Sequence, residues 1–323
     1  MIPKRSSGFR PSAASTATTA ALLLGLAACL ALPSPAFSSS PAIASTPGAP
    51  RLPVEPEHAR MRLIADCTAL HPAETAHLGI LFDLDPGWHL YGPGRSDSGL
   101  PIEISLDTPD GIVAGRTLWP APERLVSPGG ILDQVYSGTV LVILPIHVSP
   151  NLPPGSPASF RVDVSWLVCG TGCLPGEGVD QITLPVLART DSPRPSPEAP
   201  LFRETFARIP REISAADPVR FQWREGAWTV RASGARRMTF HPADSCAVLL
   251  DPIRDGAANG PRLTLRTAPV AMPPPRLCGV LEVGYAGRNA YYQIEVPGRP
   301  IEPQRIERRP DQPIQRPQRS IRS

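Results

Sequence analysis

The chain has 323 residues and a formal net charge of +3 at pH 7, and it contains 43 prolines and 26 glycines. So small a charge gives no electrostatic reason to expect a nucleic-acid partner. Proline and glycine at this density argue against long helices, since both residues are unfavourable in helix interiors. No phosphate loop, nucleotide fingerprint or nucleophile–base triad is visible, which removes the usual enzyme classes identified by short motifs.

The start of the chain has the pattern of an export signal. Residues 1–10 contain Lys4, Arg5 and Arg10, and residues 11–32 contain no charged side chain. A basic start, a short apolar stretch and small residues beyond it are typical of a secretory signal, and the stretch is short for a membrane span. We therefore expect an exported protein, either soluble or held to a membrane by a lipid.

Two processing routes remain open, with a retained signal anchor as a further alternative. Small residues near positions 34–36 and 42–44 suit an ordinary signal peptidase and give a signal peptide of residues 1–44. The segment Leu26-Ala27-Ala28-Cys29 instead resembles a lipobox, which gives a signal of residues 1–28 and a lipid on Cys29. On either route Cys29 lies outside the folded domains.

The remaining chain predicts an all-β protein, an immunoglobulin-like β-sandwich followed by a second, smaller β-sandwich. Short alternating segments, separated by turns that contain proline and glycine, are typical of sandwiches. Proline and small polar residues interrupt this pattern near 189–200, and a short helix is expected at 202–213. The predicted parts are a flexible leader at 45–59, a first domain at 60–190, a linker at 191–217, a second domain at 218–298 and a disordered basic tail at 299–323.

Cys169 and Cys173 are the candidate working pair. Alternation along residues 160–168 sends the aromatic and aliphatic side chains to one face, so Cys169 shares the other face with Asp163 and Ser165. Gly170-Thr171-Gly172 allows a tight turn, which brings two cysteines close enough for a disulfide. This reasoning predicts an exposed pair.

A disulfide that closes so short a loop stabilises a fold little, because the stabilisation grows with loop length. A labile bond that exchanges with partner thiols is therefore favoured over a structural one. A structural disulfide in a hairpin remains the alternative. A metal site is disfavoured, since two cysteines provide two ligands and no nearby histidine completes the set.

The other cysteines have different predicted roles. Cys246 and Cys278 are expected to form a structural disulfide, and a second exchange pair is the alternative; a bridge across 32 positions contributes roughly 3–4 kcal/mol. Cys67 follows an apolar strand and is expected to be a buried lone thiol, with an intermolecular bridge as the alternative.

Six sequence segments occur in an order that resembles the N-terminal periplasmic domain of the DsbD and ScsB thiol–disulfide interchange proteins. The resemblance covers about residues 60–190, and residues 219–296 are more loosely similar to the second β-domain of ScsB-type proteins. The segments are 87–91 (GWHLY), 97–101 (DSGLP), 119–124 (WPAPER), 136–138 (YSG), 167–169 (LVC) and 173–175 (CLP).

The resemblance implies that Cys169 and Cys173 are a redox pair on a hairpin of an immunoglobulin-like fold. It also implies a cap loop at 122–127, with Glu123, Arg124 and Leu125, and places Tyr91 in a segment that lines the site. Relatives carry an aromatic residue where Arg124 stands, which puts the shielding by the cap in doubt. No cofactor and no bound metal are implied.

The implied partners are a membrane-embedded thiol reductant, expected on a separate chain, and a periplasmic thioredoxin-fold client. Two other functions stay open. The first is a non-catalytic binding or assembly module whose cysteines only form structural disulfides. The second is copper handling, which follows from the ScsB resemblance and not from any ligand cluster in the sequence.

Overall fold

The structure, a computed structural model, describes residues 58–267 and 276–296. These residues belong to one compact unit of the chain. The predicted signal peptide, Cys29, nearly all of the leader, and the tail at 299–323 lie outside the described residues. None of the helices in the described ranges is long and apolar enough to cross a membrane.

Ten strands form the first β-sandwich. They are β1 (Ala59–Ala65), β2 (Thr75–Leu84), β3 (His89–Tyr91), β4 (Glu103–Asp107), β5 (Ile112–Ala114), β6 (Glu123–Ser127), β7 (Ile131–Ser137), β8 (Thr139–Val148), β9 (Pro157–Cys169) and β10 (Cys173–Pro185).

Two sheets of the first sandwich enclose one core. Sheet 1 has the order β1-β2-β8-β5, and sheet 2 has the order β10-β9-β3-β7-β6, with β4 paired to β9. The alternation predicted for β9 is observed, since its side chains from Phe160 to Val168 enter the core at every second position. Phe82 of sheet 1 meets Trp166 of sheet 2 edge to face, with ring centroids 5.2 Å apart.

The outer face of sheet 1 is covered by helix α1 (Ala199–Phe206). Phe202 of α1 is buried against Ile64, Leu81 and Ile143. Gly79 makes room for this ring, because a Cβ at that position would lie 2.9 Å from the Phe202 side chain. The segment predicted as a linker therefore packs on the first sandwich here, and the helix begins and ends earlier than predicted.

The second sandwich has its own core. Its elements are β11 (Arg211–Glu212), β12 (Val219–Arg224), β13 (Ala227–Ala232), β14 (Arg237–Pro242), α2 (Pro252–Asp255), β15 (Ala257–Asn259), β16 (Arg262–Arg266), β17 (Leu277–Tyr285) and β18 (Arg288–Val296).

Two sheets make up this sandwich. One has the order β11-β18-β17-β14-β15, and the other has the order β12-β13-β16. The all-β class and the two successive sandwiches agree with the sequence analysis. Residues 247–250 form no regular strand, and Leu249 makes only an isolated bridge to Thr267.

Candidate functional site

The two cysteines predicted as the working pair are joined by a disulfide at the end of a β-hairpin. Cys169 ends β9 and Cys173 begins β10, and the two residues are direct cross-strand partners with their Cα atoms 4.1 Å apart. The turn between them is tight, because the amide of Gly170 donates to the carbonyl of Gly172 at 2.8 Å. The hairpin thus places both sulfurs side by side at its turn end.

Cys169 lies on the outer face of sheet 2, as the alternation predicts, but the expectation of an exposed pair is wrong for this residue. Its exposed fraction is 3%, whereas Cys173 is exposed. Cys169 forms a small apolar cluster with Tyr91, Val135, Leu125 and Leu167. Leu167 lies on the same face of β9, but the other three side chains come from β3, β6 and β7, which local alternation along β9 cannot reveal.

Strand β6 occupies the position expected for the cap. Its residue Leu125 packs in the apolar cluster with Cys169, and Glu123 is exposed at the start of the strand. Arg124 points elsewhere, because successive side chains of a strand face opposite sides. The residue of this strand that packs toward the disulfide is therefore Leu125. Arg124, whose charge argued against a shielding cap, faces the opposite side of the sheet.

Arg124 connects the cap strand to the second sandwich. Its Nη2 donates to the carbonyls of Pro252 at 2.8 Å and Ile253 at 3.2 Å, both in α2. Burial at this contact lowers the pKa of Arg124. Two backbone carbonyls on one guanidinium nitrogen hold β6 against α2, so the position of the cap depends on the second sandwich.

A buried carboxylate organises the side chains beside Tyr91. Asp133 is 2% exposed and accepts from both the amide of Ser98 at 2.8 Å and its hydroxyl at 2.7 Å. The hydroxyls of Ser98 and Tyr91 are 3.5 Å apart. Tyr91 was predicted to line the site, whereas Asp133 and Ser98 were missed. Recognising 131–137 as a strand would have placed Asp133 on the same face as Val135.

Trp88 supports the turn that carries the cysteines. A Cβ on Gly170 would lie 2.7 Å from the indole ring, so only glycine fits between the turn and this side chain. His58 stacks on the indole, with ring centroids 3.7 Å apart. The turn between the cysteines is thus held by packing from the preceding part of the chain.

A comparison with known protein families identifies the family of the first sandwich. Residues 60–185 match the family model described as thiol:disulfide interchange protein DsbD, N-terminal. The first sandwich is a DsbD N-terminal domain. The match contains the disulfide, the cap strand and the Asp133 cluster, and it ends at the last residue of β10.

Solved structures give a consistent fold. The N-terminal periplasmic domain of ScsB from Proteus mirabilis is 15% identical, with 76% of this chain and 96% of that chain covered and a TM-score of 0.50. The E. coli chaperone DraB is 10% identical over 73% of this chain and 97% of its own, but its TM-score of 0.22 is too low to bear on the fold. Comparison with curated proteins gives no significant match.

Cys246 and Cys278 lie outside the part that matches the DsbD N-terminal domain, and the structure contains them as free thiols. The predicted disulfide is therefore not formed here, although the residues touch: the amide of Cys278 donates to Sγ of Cys246 at 3.4 Å. Burial raises the pKa of Cys246 to about 11, which keeps its thiol protonated at neutral pH. Pairing of the two under oxidising conditions stays a prediction.

Cys67 is a free, half-buried thiol that precedes the DsbD-type cap and hairpin in the chain. Burial, and then the neighbouring charge of Asp66, raise the pKa of Cys67 to about 12, so this thiol is a poor nucleophile at neutral pH. Within the described ranges, no group of three or more His, Cys, Asp or Glu side chains is arranged to hold a metal ion.

Proposed function

We propose that this chain is a periplasmic thiol–disulfide exchange protein that passes reducing equivalents through Cys169 and Cys173. A membrane-embedded thiol reductant on a separate chain is the proposed donor, and a periplasmic thioredoxin-fold protein is the proposed acceptor. Membership of residues 60–185 in a thiol:disulfide interchange family supports the reaction class. The periplasm is supported by the description of the ScsB relative as a periplasmic domain.

The observation that carries this proposal is the asymmetry of the disulfide. Cys173 is exposed at the start of β10, while Cys169 is buried beneath Tyr91 and Leu125. An incoming thiolate can attack the exposed sulfur of Cys173 and form a mixed disulfide with it, while the neighbouring sulfur of Cys169 stays protected. An exposed attacking cysteine beside a buried resolving cysteine is the arrangement that two-step exchange requires.

The reduction potential of the Cys169–Cys173 pair tests this function. We expect a value between about −180 and −270 mV, the range of proteins that exchange disulfides, measured by equilibration with glutathione buffers. A potential far below about −300 mV contradicts the proposal and supports the alternative of a non-catalytic module with a structural disulfide. The potential is measured on a double variant that lacks Cys246 and Cys278, so that their thiols do not contribute to the redox titration.

Shortening the cap residue is expected to expose the disulfide. Leu125→Ala removes side-chain atoms from the cluster around Cys169, so water can solvate the thiolate of Cys169 that leaves when dithiothreitol attacks Cys173. The bond should therefore be reduced about threefold to tenfold faster, equivalent to roughly 1 kcal/mol. Val126→Ala is the matched control, since Val126 is 49% exposed on the other side of the same strand. Equal rates for the two variants would show that Leu125 does not shield the pair.

A further inference from the structure

His89 is the direct cross-strand neighbour of Cys169. The register of β3 and β9 pairs these two residues, and the register of β9 and β10 pairs Cys169 with Cys173. Directly opposite residues project to the same face of a sheet, with Cβ atoms about 4.5–5.5 Å apart. The imidazole and the two sulfurs therefore form one row across three adjacent strands.

A chain of hydrogen bonds fixes which ring nitrogen of His89 carries the proton. Asp133 only accepts, so the single hydroxyl hydrogen of Ser98 is donated to it. The hydroxyl of Tyr91, 3.5 Å away, then donates to Ser98, and Nε2 of His89, 3.4 Å from that hydroxyl, donates to Tyr91. The proton of the neutral imidazole resides on Nε2, which leaves the lone pair on Nδ1.

The protonation state of His89 suits a base. Burial lowers the pKa of His89, and the charge of Asp133 from β7 opposes this effect without overcoming it. The register places three further kinds of titratable group on this face of the neighbouring strands: Tyr91 on its own strand, Glu123 of β6, and the cysteines of β9 and β10. The imidazole is therefore uncharged at neutral pH, and no hydrogen bond within the described residues engages Nδ1.

Cys169 needs a base, because its thiol must ionise beneath apolar side chains. Burial of this kind disfavours a thiolate and keeps bulk water from taking the proton. Leu125, Val135 and Tyr91, the covering residues, offer no group that accepts a proton at neutral pH. The imidazole in the adjacent position of the row meets this need.

We propose that His89 is a catalytic base, and that it takes the proton of Cys169 when this residue resolves the mixed disulfide at Cys173. The inference rests on the proposed exchange function. The proton moves from Cys169 Sγ to Nδ1, and the thiolate then attacks Cys173 Sγ. The Cys169–Cys173 bond forms and the bond from Cys173 to the client sulfur breaks. The client sulfur leaves with the electron pair and is protonated, so two electrons pass from this protein to the client.

Single-turnover oxidation of the reduced protein by dithiobisnitrobenzoate separates the two steps. In a background that lacks the free thiols of Cys67, Cys246 and Cys278, the first release of thionitrobenzoate reports attack by Cys173, and the second reports resolution by Cys169. His89→Gln should slow the second release about 10- to 100-fold at pH 7, within the range that general bases contribute, and leave the first unchanged. For the wild type, the second-step rate should fall as pH drops through an inflection below about 6.5, and the variant should lack this inflection.

His77→Gln is the matched control, because His77 is a half-buried histidine of β2 in sheet 1 that contacts Asp66 instead of the cysteines. It should leave both steps unchanged. If His89→Gln does not fold, Tyr91→Phe keeps the aromatic ring but removes the acceptor for Nε2, and it should slow the second step about threefold to tenfold.

The outcomes distinguish this inference from the proposed function. The role of His89 alone is overturned if both His89→Gln and Tyr91→Phe keep the wild-type second-step rate and pH profile. In that case the first step is normal and the potential is in the exchange range. Failure of the wild-type protein to release any thionitrobenzoate, or a potential typical of a structural disulfide, overturns the exchange function itself. The proposal is supported if His89→Gln slows only the second release of thionitrobenzoate and removes the low-pH inflection from its rate.

Discussion

Cys169→Ser is expected to accumulate a stable mixed disulfide, and Cys173→Ser is expected to accumulate none. Cys173 is exposed and remains able to attack when Cys169 is replaced, but the sulfur that would resolve the product is gone. In the reverse variant the remaining thiol, Cys169, is 3% exposed and cannot meet a protein disulfide. Incubation of each reduced variant with an oxidised thioredoxin, followed by non-reducing electrophoresis and mass measurement, checks this.

The matched control for the trapping experiment is the wild-type protein, which should transfer electrons without accumulating an adduct. Replacement of Cys67, Cys246 and Cys278 by serine in every background removes the three free thiols of the described residues, so that a captured adduct is assigned to the hairpin. Equal capture by both variants would mean that Cys169 is accessible, and it would contradict the division into attacking and resolving cysteines. No capture by either variant would contradict exchange altogether.

Local sequence patterns predicted the parts of the fold that alternate strongly. In β9 every second residue from Phe160 to Val168 is apolar and buried, and the cysteine after it lies on the opposite face, as the period of two requires. Strands β6 and β7 were not predicted. In β7 all residues from Leu132 to Tyr136 are buried, because the outer face of this strand is covered as well, and continuous burial erases the alternation.

Local sequence patterns could not predict the burial of Cys169, for a related reason. Cys169 is covered by Leu125 and Tyr91, which lie more than 40 residues away in sequence and reach it only when sheet 2 has assembled. The same applies to Arg124, whose partners in α2 belong to a different sandwich. Residue type pointed to the cysteines, while their exposure was decided by contacts distant in sequence.

Arg124 also shows how a residue that departs from a family pattern can be misread. Its charge suggested a poor shield for the disulfide, but the neighbouring Leu125 has the apolar contact and the guanidinium binds carbonyls of the second sandwich. Arg95 makes a similar connection, donating to the carbonyls of Asp244 and Cys246. The two arginines reach the second sandwich from β6 and from the loop that carries Ser98, which are the two segments that border the disulfide.

Gly99→Ala is expected to displace Tyr91 and open the site. A Cβ at position 99 would lie 2.2–2.3 Å from ring atoms of Tyr91, and the backbone has a φ of +71°, which side chains other than glycine rarely adopt. We expect the free energy of unfolding to fall by about 2–5 kcal/mol, the sum of the left-handed backbone cost and overpacking. Because Tyr91 packs on Cys169, its displacement lets water solvate the thiolate of Cys169 that leaves when dithiothreitol attacks Cys173, and reduction should accelerate about tenfold or more.

Gly138→Ala separates the two contributions. Gly138 has nearly the same backbone conformation, with a φ of +67°, but nothing lies within 4 Å of the Cβ it would acquire. This variant should lose only the backbone part, about 1–2 kcal/mol in urea unfolding, and should keep the wild-type rate of reduction. The difference between the two variants measures what the position of Tyr91 contributes to protecting Cys169. Equal stability losses with equal reduction rates would show that the tyrosine ring moves without uncovering the sulfur.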